Sequence, residues 1–345
     1  MEDSLQEIQA LRDKVAKKKL PISVKEYIDT MLERVARSSK FGNYSYEYEG
    51  AARYIYWIAS IPWGEYSKDD LELPNAKKVL NEDHYGMDLV KERVLEYLAV
   101  MNLKHESDTK TPIICFVGLQ GIGKTTMAAS IAKALGRSFE RVSLGGMPSA
   151  LELLGRTRAN PDAEPGLITK ALIRAKTMNP VLLLDELDKT GSDLGSRASV
   201  MASLLEILDP EQNETFMDNY IGFPMDLSKV FFVLTANNLG GISTALLDRL
   251  EVIKLTGYSD QEKLVIAKEF LLPKMYAATG VSAKQLAFTE DVWPHIIRPL
   301  GYEAGIRELE RVLMGIGRKV AKKLLEDPKT IITITPDTVK DYTNL

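Results

Sequence analysis

The chain has 345 residues, of which 45% are hydrophobic and 27% charged, a length that suits two or three domains with buried cores. Its 44 Lys and Arg against 48 Asp and Glu give a net charge of -4, which argues against a largely cationic nucleic-acid-binding protein but leaves room for a local basic patch. The single cysteine, Cys115, excludes a disulfide framework and a cysteine-rich metal site. No apolar run reaches the roughly 18 residues of a membrane span, and residues 1–10 lack the apolar core of a secretory signal, so we expect a cytoplasmic protein without a membrane partner.

Residues 1–78 are predicted to form a helical N-terminal segment. Apolar side chains recur there at steps of three and four residues, which is the spacing of one helix face. The first such face consists of Leu5, Ile8, Leu11 and Val15. Pro21 interrupts the pattern, and two further apolar faces follow before Pro62. We therefore expect three helices in this segment.

Residues 79–257 alternate short apolar runs with amphipathic stretches and are predicted to form an α/β domain. Three of the runs are continuously apolar, as strands buried on both faces of a parallel sheet are. These runs are 113–117, 181–184 and 230–234, and weaker ones lie at 139–144 and 252–255. Five strands with intervening helices predict a doubly wound, five-stranded parallel sheet.

Residues 258–345 are predicted to form a small helical domain. One apolar face covers 264–271 and is expected to end at Pro273, and a second covers 306–320. Residues 331–334 are predicted to add a short strand.

The segment from Gly118 to Thr125, called the phosphate loop below, is predicted to bind the phosphates of a nucleotide. It reads GLQGIGKT, fits the pattern GxxxxGK[S/T], and lies between the first buried run and a helix. Its glycines allow successive backbone N–H groups to point inward at a helix N-terminus, which suits an anion. Lys124 is expected to reach the β- and γ-phosphates, and Thr125 to ligate Mg²⁺. The residues assigned to nucleotide binding here are Gly118, Gly121, Ile122, Gly123, Lys124, Thr125 and Thr126.

A pair of acids, Asp185 and Glu186, ends the second buried run. Because the carboxyl ends of parallel strands meet at one edge of a sheet, Asp185 is expected near the metal ion beside the phosphate loop. Glu186 is then a candidate general base for an attacking water, which favours hydrolysis over transfer to a small acceptor. An isolated acid pair is more often an exposed strand end, so the catalytic interpretation depends on the phosphate loop.

Three further polar residues follow in an order that supports this interpretation. Asn237 comes after the run 230–234, where its amide can hold the attacking water. Arg249 lies too far along the sheet for its own nucleotide and suits insertion into the site of a neighbouring subunit. Arg307 begins a helix of the last domain and can touch the γ-phosphate from a lid. Taken singly, each is more often a surface residue or a helix cap.

In this order, the phosphate loop, the acid pair, Asn237, Arg249 and Arg307 resemble the Walker A, Walker B, sensor-1, arginine-finger and sensor-2 elements of AAA+ ATPases. Longer segments resemble the Lon proteases among them, and the resemblance extends from about residue 54 to residue 345. These segments are 83–86, 90–100, 205–213, 226–230 and 246–253. The resemblance implies Mg²⁺-dependent hydrolysis of ATP to ADP, a hexameric homo-oligomeric ring, unfolded or tagged protein substrates in protein quality control, and Tyr85 beside the adenine ring.

The sequence departs from this resemblance in two places. No serine lies in the family's peptidase motif, so we expect no peptide cleavage by this chain, which is either a natural peptidase-less relative or an excised segment of a protein with a Lon peptidase domain. After residues 155–158, Lon proteins carry an aromatic and an aliphatic residue that grip substrate in the ring channel, whereas this chain has Asn160 and Pro161. Weak pulling on substrate is expected, because a small amide offers far less apolar area than an aromatic ring.

Other functions remain open. A nucleotide-dependent oligomerisation scaffold with little turnover fits the altered loop, whereas the intact Glu186, Asn237, Arg249 and Arg307 favour a motor. A small-molecule kinase is less well supported, because nothing resembles an acceptor pocket. Some Lon relatives bind DNA, but no dedicated motif supports nucleic acid as a partner here.

Overall fold

The computed structural model describes residues 2–38, 44–103, 112–160, 162–191 and 193–343. The α-helices in these ranges are α1 Glu2–Ala16, α2 Ile22–Ser38, α3 Tyr44–Ser60, α4 Leu73–Asp83, α5 Asp88–Leu103, α6 Lys124–Leu135, α7 Leu151–Leu154, α8 Leu167–Ala175, α9 Leu194–Leu208, α10 Thr244–Leu247, α11 Asp260–Ile266, α12 Leu272–Thr279, α13 Trp293–Ile297, α14 Arg307–Glu326 and α15 Val339–Tyr342. The strands are β1 Ile114–Val117, β2 Phe139–Ser143, β3 Val181–Asp185, β4 Phe216–Met217, β5 Pro224–Met225, β6 Phe231–Ala236, β7 Glu251–Lys254, β8 Leu286–Phe288 and β9 Ile332–Ile334. Within these ranges, no helix combines the length and the apolarity that crossing a membrane requires.

The central sheet has five parallel strands in the order β2-β3-β6-β1-β7, so the predicted α/β class and all five predicted strands are confirmed. Every residue of β1, β3 and β6 is buried, because helices cover both faces of the sheet. Ile114 and Phe116 face a core shared with α4, α5 and α6. Cys115 and Val117 point to the opposite face and the second core.

The three predicted N-terminal helices are present and pack on that second face. Ile28 of α2 and Ile55 of α3 are fully buried in the core that also contains Leu182 of β3. The Tyr54 hydroxyl donates a hydrogen bond to the carbonyl oxygen of Ile221 at 2.8 Å. The helical segment is therefore joined to the α/β domain by a common core as well as by the chain.

Helix α4 belongs to the nucleotide side of the sheet. It buries Ala76 and Leu80 in one core with Met127 of α6. Residue 78, where the sequence places the end of the N-terminal segment, lies inside this helix. We therefore propose that the nucleotide-binding domain begins with α4.

The C-terminal domain has its own core, built from α11 to α15 and the two-stranded parallel sheet β8-β9. The predicted strand is confirmed at Ile332–Ile334, but its partner Leu286–Phe288 was not predicted. The expectation that the helix over 264–271 ends at Pro273 is wrong. Residues Ala267–Leu271 form a π-helical turn in which the N–H of Leu272 bonds to the carbonyl of Ala267, and the wider turn carries the chain into α12. Pro273 then stands in the first turn of α12, a position that tolerates proline.

Candidate active site

A cavity of about 350 Å³ opens where the carboxyl ends of β1, β3 and β6 meet. The phosphate loop, the ends of β3 and β6, and the first turn of α14 line it. The predicted site residues in this lining are Gly121, Gly123, Lys124, Thr125, Thr126, Asp185, Glu186, Asn237 and Arg307. Four predicted residues lie outside the lining, namely Gly118, Ile122, Tyr85 and Arg249.

The glycines of the phosphate loop are required by backbone geometry. Gly121 and Gly123 have φ angles of +79° and +97°, which residues with a side chain rarely adopt. A Cβ on Gly118 would lie 2.6 Å from the carbonyl oxygen of Leu255, so the loop can pass β7 only without a side chain there. The loop leads into the N-terminus of α6, where backbone N–H groups attract an anion. The segment therefore fits the phosphates of a nucleotide.

Lys124 ties the phosphate loop to the end of β6. Its Nζ donates to the carbonyl oxygen of Leu119 at 2.9 Å and to Oδ1 of Asn237 at 3.0 Å. Burial lowers the pKa of Lys124, and the nearby carboxylates of Asp185 and Asp188 oppose that shift. An ammonium group in this position can bind phosphate oxygens and keeps Asn237 beside them.

Asp185 is nearly buried, and both of its carboxylate oxygens have partners. Oδ1 accepts a hydrogen bond from the Thr235 hydroxyl, and Oδ2 lies 2.6 Å from a guanidinium nitrogen of Arg141. The Thr235 oxygen in turn accepts the N–H of Glu186 at 3.0 Å. The neighbouring strands β2 and β6 therefore fix the orientation of this carboxylate.

The oxygens of Thr125 and Asp185 suit a magnesium ion. A hydroxyl and a carboxylate are hard oxygen ligands, and Mg²⁺ in phosphate sites commonly takes one or two protein ligands besides phosphate oxygens and water. Both residues line the same cavity. The residues present thus fit the ion that the sequence predicted.

Glu186 has a left-handed backbone conformation, with φ 63° and ψ 47°. Its Oε1 lies 2.5 Å from Nζ of Lys189, and its carboxylate packs so closely on Gly145 that any side chain there would collide with it. The side chain is about one-third exposed and lines the cavity. A carboxylate that is partly exposed and lines the cavity is accessible to water.

Asn237 is placed by a carboxylate that the sequence analysis did not single out. Oδ1 of Asp188 accepts the backbone N–H of Asn237 at 3.0 Å, and Oδ2 accepts the side-chain amide of Asn238 at 3.3 Å. Asp188 also lines the cavity. The short helix after β3 thus supports the end of β6.

The C-terminal domain, called the lid below, lies against the phosphate loop and forms one wall of the cavity. The N–H of Ile306 donates to the carbonyl oxygen of Gly121 at 3.1 Å, and Gly305 lies so close that an added Cβ would be 2.5 Å from the carbonyl carbon of Gly121. Arg307 follows and lines the cavity together with Glu310. A lid position for Arg307 is the arrangement that the sequence predicted.

Arg249 lies outside the cavity lining of its own chain. Its guanidinium pairs with Asp209 at 3.0 Å and donates to the carbonyl oxygen of Ala245 at 3.3 Å. About one-third of the side chain is exposed. The arginine is therefore held at the surface, away from the phosphate loop that precedes it in the chain.

Tyr85 is partly exposed, and the side chains of Met87 and Tyr258 approach the phosphate loop. The methyl carbon of Met87 lies 3.4 Å from the position of a Cβ on Gly123. The Tyr258 hydroxyl donates to the carbonyl oxygen of Ile122 at 3.2 Å, and burial raises the pKa of Tyr258 to about 12. Met87 and Tyr258 thus join Tyr85 as candidates for the base-binding side.

A second cavity, of about 330 Å³, separates α2 and α3 from the loop that precedes α8. Asn160 lines it, whereas Pro161 lies outside the described residues. In the same loop, the guanidinium carbon of Arg158 lies 4.2 Å from the ring centre of Tyr54 and 5.4 Å from that of Tyr27. The loop predicted to contact substrate is therefore fastened to the N-terminal helices.

Seven residues of the cavity lining were given no role from the sequence: Gln120, Arg141, Asp188, Thr235, Ala236, Ile306 and Glu310. Four of these carry a charge or a hydroxyl group, namely Arg141, Asp188, Thr235 and Glu310. Asp188 and Thr235 stand within three residues of predicted site positions, so their neighbourhood was an available signal. For Arg141 the available signal was weaker, namely a charged residue in the middle of a predicted strand. Glu310 stands one helical turn after Arg307, which places both on one face of α14.

Two family profiles match the chain. The first, "ATPase family associated with various cellular activities (AAA)", matches residues 114–258, and the second, "Lon protease AAA+ ATPase lid domain", matches residues 277–332. Together they cover the cavity-bearing sheet and most of the lid.

Curated relatives include Lon proteases from several bacteria. The Lon protease of Dictyoglomus thermophilum is 48% identical over 320 residues, which cover 93% of this chain and 40% of that protein. The Lon protease of Lawsonia intracellularis is 44% identical over 340 residues, which cover 99% of this chain and 40% of that protein. The chain thus spans about two-fifths of the length of these relatives. It belongs to the AAA+ ATPases and carries the ATPase domain and the lid domain found in Lon proteases.

Proposed function

We propose that this ATPase hydrolyses ATP to ADP in the cavity beneath the lid, with Mg²⁺, and that turnover drives the movement of protein substrates as the motor part of a Lon-type assembly. One observation carries the proposal: the phosphate loop and the acid pair Asp185–Glu186 line a single cavity. Binding and hydrolysis then take place in one site.

Different residues of the cavity have different roles in the proposed reaction. Backbone N–H groups of the phosphate loop and Nζ of Lys124 bind the phosphates. Glu186 accepts a proton from the attacking water, and Asn237 holds that water on the opposite side. Arg307 contacts the γ-phosphate from the lid, which links hydrolysis to lid movement.

Thr125 and Asp185 hold the magnesium ion in this proposal. When bound, the ion would offset the negative charge of the phosphates. Thr235 orients Asp185 for that role through its hydroxyl.

The proposal includes a homo-oligomeric ring, with six subunits as the resemblance to Lon proteases implies. Arg249 supports it, because this partly exposed cation lies outside its own cavity and can offset charge in a neighbour's site. Its partner Asp209 would keep it oriented at the subunit boundary.

Unfolded or tagged proteins are the proposed substrates. The relatives are named proteases, which supports a protein as the molecule that the ring acts on. We assign ATP hydrolysis, and not peptide cleavage, to the described residues.

A second candidate is a nucleotide-dependent scaffold with little turnover. The observation that favours it is the loop before α8, where Arg158 is held against Tyr54 and Asn160 stands at the position where the resemblance leads us to expect an aromatic residue. A scaffold would bind ATP without using it to move a substrate.

Phosphate release measured over a range of protein concentrations distinguishes the two. A motor with shared sites is expected to show turnover per subunit that rises steeply as rings assemble, and none in EDTA. Tight ATP binding with negligible release at every concentration would instead identify the scaffold. Lys124→Ala is the control, since it removes a phosphate-binding cation and should abolish release in either case.

A further inference from the structure

Arg141 makes an ion pair inside the cavity with the carboxylate assigned to the metal. We infer that Arg141 is a positioning residue that neutralises Asp185 until Mg²⁺ takes its place, and that it thereby sets how strongly nucleotide binding depends on the metal. The inference rests on the proposed function of the cavity and adds to it a regulation by metal concentration.

The strand register explains how Arg141 reaches this position. Within β2, Arg141 pairs with Leu183 and Ser143 pairs with Asp185, so the arginine stands two residues before the level of the carboxylate. Side chains alternate along a strand, and Arg141 shares a face with Phe139, which packs on the core under α6. An extended arginine on that face spans the gap to the end of β3.

The two partners differ in exposure. The Asp185 side chain is 7% exposed, whereas that of Arg141 is 53% exposed, and they meet at 2.6 Å. The other carboxylate oxygen of Asp185 accepts a hydrogen bond from Thr235, whose side chain is buried in β6. A metal ion that needs an oxygen of Asp185 therefore displaces the exposed guanidinium more readily than the buried hydroxyl.

The charged side chains that line the cavity determine how the replacement of Arg141 by Mg²⁺ affects nucleotide binding. Four carboxylates and three cations line it, and the three cations are Lys124, Arg141 and Arg307. Without Arg141, metal-free nucleotide would meet the carboxylate of Asp185 with no paired cation, at short range in a partly desolvated site. With Mg²⁺ present, the ion itself supplies the compensating charge, and Arg141 becomes its competitor.

Calorimetric titration with ADP, first in EDTA and then over a series of Mg²⁺ concentrations, tests the inference without any turnover. For Arg141→Gln, we expect the dissociation constant for ADP in EDTA to rise about tenfold, the scale of one charge interaction in a half-exposed site. The Mg²⁺ concentration that gives half of the affinity gain is expected to fall several-fold, because the competitor is gone. Arg141→Lys keeps the charge and is expected to retain most of the wild-type affinity in EDTA.

Two controls separate this role from others. Arg174→Gln removes a similar ion pair outside the cavity lining, in which Arg174 of α8 lies 2.7 Å from Glu140, a residue of the same strand as Arg141. This variant should change neither measurement. In an Asp185→Asn background, which removes the charge to be neutralised, Arg141→Gln is expected to have little further effect on ADP binding in EDTA.

The outcomes are distinct. If the unaltered chain binds no ADP under any condition, the proposed function fails. If it binds ADP and Arg141→Gln leaves both measurements unchanged, the inference alone is overturned. If Arg141→Gln weakens binding equally in EDTA, in Mg²⁺ and in the Asp185→Asn background, Arg141 binds phosphate directly and the inference is also overturned. Thermal unfolding of each variant shows whether it is folded, and Arg141→Met, an uncharged replacement of similar length, takes the place of Arg141→Gln if that variant is not.

Discussion

Two consecutive acids at the end of β3 lie in different surroundings because the backbone turns between them. Asp185 completes the strand and stays nearly buried, whereas Glu186 adopts φ 63° and turns its carboxylate toward the cavity. A left-handed conformation at a residue with a side chain costs of order 1–3 kcal/mol, which the hydrogen bond from its N–H to Thr235 helps to offset. This turn makes one carboxylate a candidate metal ligand and the other a candidate base.

Glu186→Gln is expected to preserve nucleotide binding and to lower the rate of ATP hydrolysis by about 10²–10⁴-fold, the range for loss of a general base. The amide keeps the shape of the side chain but accepts no proton. Single-turnover hydrolysis together with ADP titration measures the two effects separately. Glu140→Gln, on β2 and outside the cavity lining, is the matched control and should behave like the parent chain. An unchanged rate in Glu186→Gln would assign the base to another group.

At the scale of elements, a partly buried polar network joins the end of α4 to helix α6. Nε2 of His84 lies 3.0 Å from the Ser130 hydroxyl, which donates to Asp83 at 2.8 Å. Lys133 pairs with the same carboxylate at 2.8 Å. Burial lowers the pKa of His84 in the folded chain. The segment predicted to approach the base is thus tied to the helix that begins at the phosphate loop.

This network predicts a pH dependence of stability. In the unfolded chain His84 takes up a proton below about pH 6.5, while the folded chain resists protonation, so the unfolded state binds more protons there. The free energy of unfolding should fall as pH drops from about 6.5 toward the lowered pKa, by at most about 1.4 kcal/mol per pH unit from this group.

Urea unfolding at about pH 7.5 and about pH 5.5 measures the effect. His84→Asn is expected to show a smaller loss between the two pH values than the parent chain. His295→Asn, which alters an exposed histidine, should leave the loss unchanged. Equal losses in His84→Asn and the parent chain would contradict the prediction.

The loop before α8 is anchored at both of its sides. Its base is held by the buried Asp218, whose carboxylate accepts the N–H of Gly166 at 2.7 Å and the Thr169 hydroxyl at 2.6 Å. Its other side is held by Arg158, stacked on Tyr54. The segment between them contains a small amide, Asn160.

Asn160→Tyr is therefore expected to increase the unfolding of a tagged protein by this chain when it is fused to a peptidase. A ring buries about 150–250 Å² and, at about 25 cal/mol per Å², adds several kcal/mol of apolar contact per subunit at most. Degradation of the tagged protein per ATP hydrolysed is the measurement. Asn160→Gln keeps an amide and serves as the control, and equal values for the two variants would show that this position does not grip substrate.

At the scale of the whole molecule, three cores divide the described chain. One joins the N-terminal helices to one face of the sheet, one lies under α4 to α6 on the other face, and one belongs to the lid. The cavity lies where the sheet edge meets the lid, and Arg249 stands outside it. In the proposed assembly of several copies, this arginine would reach the nucleotide of a neighbouring subunit.

Arg249→Ala is expected to lower ATP turnover by about 10³–10⁵-fold, the range known for arginines supplied to phosphoryl transfer, while nucleotide affinity changes little. Turnover and ADP titration on the same preparation measure both quantities. Arg311→Ala removes an exposed arginine of the lid that pairs with Glu308 and should leave turnover unchanged. Full turnover in Arg249→Ala would show that sites are not shared between subunits.

The sequence predicted the parts of the fold that rest on long apolar patterns. A continuous apolar run such as 230–234 fits few structures other than a buried strand. Once the strands were predicted, their carboxyl ends indicated that Asp185 and Asn237 lie at one edge of the sheet. The hairpin β4-β5 has only two residues per strand, too few for a period to appear. Strand β8 was missed because Leu286–Phe288 lacks the β-branched residues that made its partner β9 recognisable. The predicted helix end at Pro273 was wrong because a π-helical turn carries the helix past the proline, and the sequence pattern of this segment does not indicate such a turn. Arg141 was missed because one charge in a weak strand looks like an exposed residue until the register is known.

The close approach of Gly305 to Gly121 has a thermal consequence. Main-chain atoms of the lid rest on main-chain atoms of the phosphate loop, with a hydrogen bond from Ile306 across the junction. Melting of the C-terminal helices would remove that support, so both regions should lose order in one calorimetric transition. A nucleotide held between them would then shift that transition as a whole to higher temperature and would not split it in two.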